Sequence, residues 1–595
     1  MAQFFKFLFA SCLGTALALV LLTFIGISAL SGIANSASQT QKVSIQPNAV
    51  LRLDFKNVVP EKTNNLPMDP FDFENQAVVG LTDFVATLKK AKEDPDIKGI
   101  YLNAPIVMAG KATSSVIHAA LLDFKSSGKF IMAYGDFYTQ GAYYLASTAD
   151  SLFLNPVGAV DFRGLSSTVT YYKGMLDKLD VEMKIYYAGQ FKSATEPLRA
   201  DKMSEQNRLQ VREYLGALYD IFIRDIAASR KISEVELKQI ADRFDGFSAQ
   251  KSVSTRLVDR LAYEDEVFAA MKKQVGLGEK EKLQLVSLED YYEARGKKLD
   301  LSTKEKIAVI YAEGEISDGA STEPGGIYGE DYVKMLRKIR QDDNIKAIVL
   351  RVNSPGGSSM ASDVILREIQ LCQRAGKPVV VSMGDLAASG GYYIACQADS
   401  IFAEPNTITG SIGVFGIVPN LAKTMRKNLG ITADTVRTGR FSAFGSPLVE
   451  FSKEEDALIQ NRVEQTYEEF LQRVATGRKK TRDQIHEVAQ GRVWTGTKAQ
   501  ALGLVDQIGG LDRAIAAAAK LAGLEKYRTT EYPRTTSGIE QIIERFSKKK
   551  NRDDSVKSWL LRQELGDMYP MYQSLIQLRK SNGLQARLPY ELIVR

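Results

Sequence analysis

The sequence predicts an α/β protein made of two tandem copies of one unit, each a largely parallel sheet with helices on its faces. Three observations carry this reading. Similar segments recur in the same order at a spacing of about 250 residues. Each copy alternates apolar, β-rich runs with helical stretches, the pattern of βαβ units. Composition is that of folded globular material, with 45% hydrophobic and 25% charged residues in a chain of 595, enough for two or more cores.

The repeat is read segment by segment. Asp96-Ile97-Lys98-Gly99-Ile100-Tyr101-Leu102 answers Asn344-Ile345-Lys346-Ala347-Ile348-Val349-Leu350, and Tyr134-Gly135-Asp136-Phe137 answers Met383-Gly384-Asp385-Leu386. Ala142-Tyr143-Tyr144-Leu145-Ala146 matches Gly391-Tyr392-Tyr393-Ile394-Ala395. Ala149-Asp150-Ser151-Leu152-Phe153 matches Ala398-Asp399-Ser400-Ile401-Phe402. Chance similarity does not hold register over so many segments. Within each copy a buried strand (Ile97–Leu102; Ala347–Val352) leads through a loop to a helix (Ser114–Lys125; Ala361–Arg374). A second buried strand follows (Phe130–Tyr134; Pro378–Met383), then a turn and a helix. Functional groups of such sheets collect in loops at the carboxyl ends of strands.

The expected domains are an anchor over 1–40, a first unit over 45–297, a second over 304–526 and a basic tail over 527–595. A charged stretch from Lys297 to Lys306 reads as the linker, and Lys548-Lys549-Lys550 lies in the tail, whose role the sequence does not reveal. At the start, no charged residue occurs between Lys6 and Lys42, and Phe7 to about Ala34 is largely apolar. A helix of that length spans a hydrocarbon core of roughly 30 Å. A secretory leader has a shorter apolar region, so an uncleaved anchor is expected, although Ala34-Asn35-Ser36-Ala37-Ser38 offers a cleavage site. Lys6 places the amino terminus in the cytoplasm and the bulk of the chain across the membrane.

Several function classes drop out. With 77 basic and 71 acidic residues and no basic stripe interleaved with aromatics, nucleic-acid binding is not expected. Cys12, Cys372 and Cys396 lack metal-ligand spacing, so neither a zinc site nor a disulfide framework is indicated and buried thiols are expected. Only two histidines exist, His118 and His486, each in a helical stretch without a nucleophile pattern nearby. A hydrolase of this sequence is therefore not expected to use Ser-His-Asp.

Differences between the copies locate the chemistry. The second copy reads Asn353-Ser354-Pro355-Gly356-Gly357-Ser358 where the first has Asn103-Ala104-Pro105-Ile106-Val107. A glycine pair after a strand can expose backbone N–H groups to developing negative charge, although Pro-Gly-Gly alone is an ordinary turn. The second copy places Ser389 in Ala387-Ala388-Ser389-Gly390-Gly391-Tyr392, where the first has Gln140. In isolation such a serine reads as a helix N-cap. The third loop runs the other way. Lys192, in Gly189-Gln190-Phe191-Lys192-Ser193, stands where the second copy has Ser442. A serine hydroxyl needs a neighbouring base, and a lysine serves as that base once burial favours its neutral amine. Ser411, in Thr409-Gly410-Ser411-Ile412-Gly413, is a candidate for orienting the amine, and the first copy has Phe162 there.

Ala387-Ala388-Ser389-Gly390-Gly391-Tyr392, Thr409-Gly410-Ser411-Ile412-Gly413 and Phe191-Lys192-Ser193-Ala194 resemble the motifs of the signal peptide peptidase A (protease IV) family in its long, tandem-repeat form. The likeness runs to about Leu524. It implies units of the Clp protease/crotonase superfamily type, no cofactor, and a homotetramer in the bacterial inner membrane with its catalytic part in the periplasm. By resemblance Ser389 is the nucleophile, Lys192 the general base and Ser411 the residue holding the lysine. Gly356, Gly357 and Gly390 are implied for the oxyanion hole. The implied substrates are released signal peptides, cut within their apolar part, and membrane lipid contacts the anchor. Two other readings stay open: an acyl-CoA enzyme by fold analogy, and a non-catalytic membrane scaffold.

Overall fold

The computed structural model describes Gly14 and residues 44–55, 57–63, 78–296, 303–321, 325–534 and 585–587. Apart from Gly14, the expected anchor, with Cys12, lies outside these residues, as do the core of the linker and most of the expected tail. Among the described residues no helix is long and apolar enough to cross a membrane.

The first unit contributes strands β1 (Ala49–Leu53), β2 (Ile97–Leu102), β3 (Phe130–Tyr138) and β4 (Ser151–Val160). After β5 (Glu182–Ala188), which leaves this sheet, come β6 (Arg260–Leu261) and β7 (Leu285–Ser287). Their order is β6-β4-β3-β2-β1-β7, all neighbours parallel. The second unit begins with β8 (Lys306–Glu313), β9 (Ile316–Ser317) and β10 (Ile327–Tyr328). It continues with β11 (Ile345–Ser354), β12 (Gly356–Ser358) and β13 (Val379–Ala388). Next are β14 (Ser400–Ala403), β15 (Ile408–Gly410) and β16 (Val414–Asn420). The last are β17 (Val493–Thr495), β18 (Gln507–Ile508), β19 (Arg528–Tyr532) and β20 (Gln585–Arg587).

The second sheet runs β17-β15-β13-β11-β8-β19, with β14 beside β13 and β18 beside β14. It repeats the first, β8, β11 and β13 standing for β1, β2 and β3. Runs such as Ile307-Ala308-Val309-Ile310 and Val379-Val380-Val381 are buried on both faces, as parallel strands between helix layers require. β19 pairs in parallel with β8 as β7 does with β1. The β-prone Thr529-Thr530-Glu531-Tyr532 thus adds a sheet strand within the segment expected as tail.

The shared residues turn out to hold the common fold. Tyr143 and Tyr392 are buried, and each donates its hydroxyl hydrogen to a leucine carbonyl, Leu257 and Leu504, at 2.8 Å. Asp150 and Asp399 accept N–H groups at the strand starts, from Ile131 and Val379, at 2.8 and 2.7 Å. Each bond satisfies a polar group at a buried strand or helix end.

A third sheet, β10-β9-β12-β20-β16-β5, joins the units. Here β5 of the first unit lies antiparallel to β16 of the second over seven residue pairs, from Ala188↔Val414 to Glu182↔Asn420. Two further contacts tie the units. Arg351 and Glu61, 3% and 2% exposed, form a two-pronged pair at 2.8 and 3.1 Å. Asp385 accepts from the N–H and hydroxyl of Thr113 at 2.9 and 2.5 Å, at the start of the helix Lys111–Lys125. That helix has Gly110 as N-cap and no side chain of its own capping it, so the other unit supplies the carboxylate.

Candidate active site

β5 ends at Ala188, and the chain turns through Gly189 to place Lys192 under the second unit. Two backbone bonds fix the turn: Phe191 N–H donates to the Gln490 carbonyl at 2.8 Å and Lys192 N–H to Gly189 at 3.1 Å. Gln210, on the long helix Glu205–Arg230, donates to the Phe191 carbonyl at 3.1 Å and to Ser193 Oγ at 3.0 Å. Gly491 faces the lysine directly. It has φ +78, and a Cβ there would stand 2.7 Å from Lys192 Cα and Cβ, closer than side chains approach. The second unit can therefore close over Lys192 only because position 491 is glycine.

Ser389 sits between β13 and the helix Gly390–Ala395, at the N-cap position. Its φ of 55 and ψ of −116 belong to a sparsely populated region, held by a bond from its N–H to the Gly410 carbonyl at 2.8 Å. Its hydroxyl makes no capping bond. The N-cap reading thus describes the position but not the side chain, which turns to the lysine. Lys192 Nζ lies 2.8 Å from Ser389 Oγ, 3.1 Å from Ser411 Oγ and 3.2 Å from the Ser411 carbonyl oxygen. Ser411 also has positive φ, 50, and its N–H donates to the Arg492 carbonyl at 2.7 Å.

The cluster is dry. Lys192 is 1% exposed, and Ser389 and Ser411 are 0% exposed. The Phe415 ring stands 5.9 Å from Nζ. Burial holds the Lys192 amine well below its ordinary pKa, and among the described residues no carboxylate offsets that effect. What the arrangement can do chemically follows. A neutral amine in hydrogen-bond reach of a hydroxyl can accept its proton.

The glycine pair lies on β12, beside β9. The Gly356 N–H donates to Ser354 Oγ at 3.2 Å. A Cβ on Gly357 would stand 2.0 Å from the Ile316 carbonyl oxygen, so only glycine lets β12 pack here. Gly390 opens the helix behind Ser389, where first-turn N–H groups lack intrahelical partners. Among the described residues no group of His, Cys, Asp and Glu could hold a metal ion. Both histidines are bound into structure. His118 stacks on Tyr144 at 4.5 Å, and His486 Nδ1 is 3.1 Å from the Tyr467 hydroxyl. Cys372 and Cys396 are buried free thiols.

Sequence comparison of the copies picks out the three residues that meet here, but it misses Gln210, Gln490 and Gly491. Nothing local marks them. Gly491 matters only through the approach of a loop from the other unit.

A two-unit α/β protein whose units share a buried lysine–serine cluster is the class defined so far. The model of peptidase family S49 matches residues 123–278 and 372–525, one stretch in each unit. The chain is similar to "Protease 4" of Salmonella typhi, 37% identical over 542 residues, covering 88% of this chain and 86% of that protein. It is 38% identical over 455 residues to "Protease 4" of Haemophilus influenzae, covering 74% and 72%. "Serine protease SPPA, chloroplastic" of Arabidopsis thaliana is 32% identical over 462 residues, covering 76% and 68%. The chain belongs to peptidase family S49.

Proposed function

We propose that this chain is a serine endopeptidase in which Ser389 is the nucleophile, Lys192 the general base and Ser411 the residue that orients the amine. The observation that carries the reading is the 2.8 Å contact between Lys192 Nζ and Ser389 Oγ inside a cluster without exposed surface. The neutral amine donates to the Ser411 carbonyl and hydroxyl oxygens and turns its lone pair to the Ser389 hydroxyl. As Oγ attacks a peptide carbonyl, its proton passes to Nζ, and the lysine then delivers it to the leaving amine. The acyl-serine is hydrolysed by a water that the same amine deprotonates. Backbone N–H groups of Gly357 and Gly390, with Gly356 shaping the loop, are assigned to the developing oxyanion.

The substrates on this reading are released signal peptides, cut within their apolar part. The apolar run from Phe7 to about Ala34 anchors the chain in a bacterial inner membrane with the two units in the periplasm. Each unit is of the Clp protease/crotonase type, and four chains assemble. Names of the relatives, which are proteases, support the reaction class.

The test is labelling with a serine-reactive fluorophosphonate, mapped by mass spectrometry. Labelling at Ser389 that is lost in Lys192→Ala, with cleavage of an apolar peptide lost in both Ser389→Ala and Lys192→Ala, supports the assignment. A folded Lys192→Ala variant with full activity overturns the proposed base.

A further inference from the structure

Arg351 and Glu61 also line a cavity of about 460 Å³, a volume within the range of small-molecule sites. Ser389, Lys192 and Ser411 take no part in its lining. Its walls come from both units. Leu81, Val85 and Leu88 line it from the helix Leu81–Glu93, Val116 and Ala119 from the helix Lys111–Lys125, and Leu511 from the second unit's helix Leu511–Leu521. The first three follow i, i+4, i+7 spacing, one apolar stripe of a helix.

The charges on this lining are unevenly matched. Of its five carboxylates, four have a cation: Glu61 with Arg351, Asp123 with Lys92, Asp225 with Arg224 and Asp512 with Lys89. The fifth, Glu404, makes no side-chain hydrogen bond or ion pair among the described residues. Burial pushes its carboxyl above the ordinary pKa, against the pull of Arg351 and Arg513. Arg351 gives its hydrogens to Glu61, Ser382 and Met383. Arg513 is exposed, so water meets its charge, and it donates to the Ile508 carbonyl at 3.2 Å.

A second acceptor lies two residues on. Asn406, 4% exposed, also lines the cavity and donates through Nδ2 to the Lys111 carbonyl at 2.9 Å and to Ser115 Oγ at 2.8 Å. Those bonds fix the orientation of the amide, and its Oδ1 is buried without a donor. The first unit has neither group: Asn155-Pro156-Val157 stands where the second reads Glu404-Pro405-Asn406. As at the lysine–serine cluster, the copies differ within matching flanks. Unmatched acceptors beside apolar walls fit a cation that has hydrogens to give and an apolar body. An anion would meet Glu404, and a hydrocarbon would leave the carboxylate without a partner.

We propose that this cavity binds an ammonium group carried on an apolar body, an aliphatic amine or the amino terminus of an apolar peptide, with Glu404 as its counter-ion. The inference stands apart from the peptidase reading. Because the walls belong to both units, a bound ligand favours their packed state, and the unfolding midpoint rises with its concentration.

The test titrates the full chain with hexylamine, hexanol and hexanoate by calorimetry and follows the unfolding midpoint. Hexylamine should bind saturably and raise the midpoint, hexanol should bind roughly ten- to a hundredfold more weakly, and hexanoate should do neither. Glu404→Gln should weaken hexylamine by the same factor and leave hexanol unchanged. Ala119→Trp, which puts a ring from an exposed wall position into the cavity, should abolish binding of both. Uptake into detergent or lipid would not respond to that substitution. Trileucine amide and its N-acetylated form separate the two sources. Competition with hexylamine by the free amine alone assigns the site to peptide amino termini, and competition by neither restricts it to aliphatic amines. Equal competition by the acetylated form, equal affinity for hexanoate, or unchanged hexylamine affinity in a folded Glu404→Gln variant would each overturn the proposal.

Discussion

Lys192 Nζ and Ser389 Oγ stand 2.8 Å apart although 197 residues separate them, and they belong to different units. The contact exists because β5 crosses to pair with β16 and the loop after it is clamped by Gln490 and Gln210. Neither unit carries both groups, since Gln140 stands at the serine position of the first and Ser442 at the lysine position of the second. Packing of the two units is therefore a condition for the proposed reaction, and each prediction below tests one element of it.

The first concerns the base and its pH dependence. Burial lowers the Lys192 pKa well below 10.5. Below the lowered value the amine is protonated and cannot accept the Ser389 proton, so kcat/KM should rise with pH through that value and level above it. Stability has its own signature. The folded state binds fewer protons than the unfolded chain between the lowered pKa and about 10.4, so stability rises with pH across that window. Lys192→Met should remove this rise and lower kcat/KM by roughly 10²–10⁴. Lys192→Arg should be inactive at every pH because a guanidinium stays charged. Rate profiles and unfolding midpoints from pH 6 upward check both, and activity in the arginine variant would defeat the proposal.

The second concerns position 491. A methyl group there meets Lys192 at 2.7 Å, and the φ of +78 disfavours any side chain. Gly491→Ala should displace the amine from Ser389, lowering kcat about tenfold or more while KM changes little. The accompanying loss of stability is of the order of 1–3 kcal/mol. A steady-state comparison with Gly523→Ala, also at positive φ but with open space at its Cβ, separates lysine displacement from backbone strain.

How much of this is legible in sequence depends on range. Strands such as Val379-Val380-Val381 and the matched Tyr143 and Tyr392 declare themselves by local pattern and by recurrence. Ser389, Lys192 and Ser411 stand out because the copies differ there within matching flanks. Gly491 and the capping of the first unit's helix by Asp385 are invisible, since each acts across the boundary between units. Gln210 is hidden because its partners, Phe191, Ser193 and Val493, lie far from it in the chain. Asp385 even has a counterpart, Asp136, that instead accepts from the Tyr134 hydroxyl at 2.7 Å. The strand Gln585–Arg587 is three residues long, and its pairing depends on two edges far away in the chain. No periodicity marks it.

The third prediction concerns the glycine pair. A Cβ at position 357 would lie 2.0 Å from the Ile316 carbonyl oxygen, so Gly357→Ala must push β12 away from β9 and shift its backbone N–H groups. Loss of one aligned oxyanion donor is worth roughly 10²–10³ in kcat. The expected outcome is that loss with fluorophosphonate labelling slowed in parallel, because the same donors stabilise the phosphonate adduct. Normal kcat in a folded Gly357→Ala variant would remove β12 from the mechanism.

The last concerns the clamp between the units. Arg351 Nε and Nη2 donate to Glu61 at 2.8 and 3.1 Å, and Nη1 donates to Ser382 Oγ and the Met383 carbonyl at 2.8 and 3.0 Å. Such a pair adds little over a well-packed apolar replacement, yet removing one partner strands a charge in a dry interior. Arg351→Met should therefore cost about 3–5 kcal/mol. The double variant Glu61→Leu/Arg351→Met, which removes the Glu61 carboxylate together with its partner, should be less damaged than Arg351→Met alone. Urea titrations of wild type, both single variants and the double variant give the coupling directly. Because Glu61 belongs to the first unit and Arg351 to the second, loosening the pair should lower activity alongside stability. Strict additivity of the two substitutions would show that the units are held together elsewhere, with the β5–β16 pairing and the Thr113–Asp385 contact as candidates.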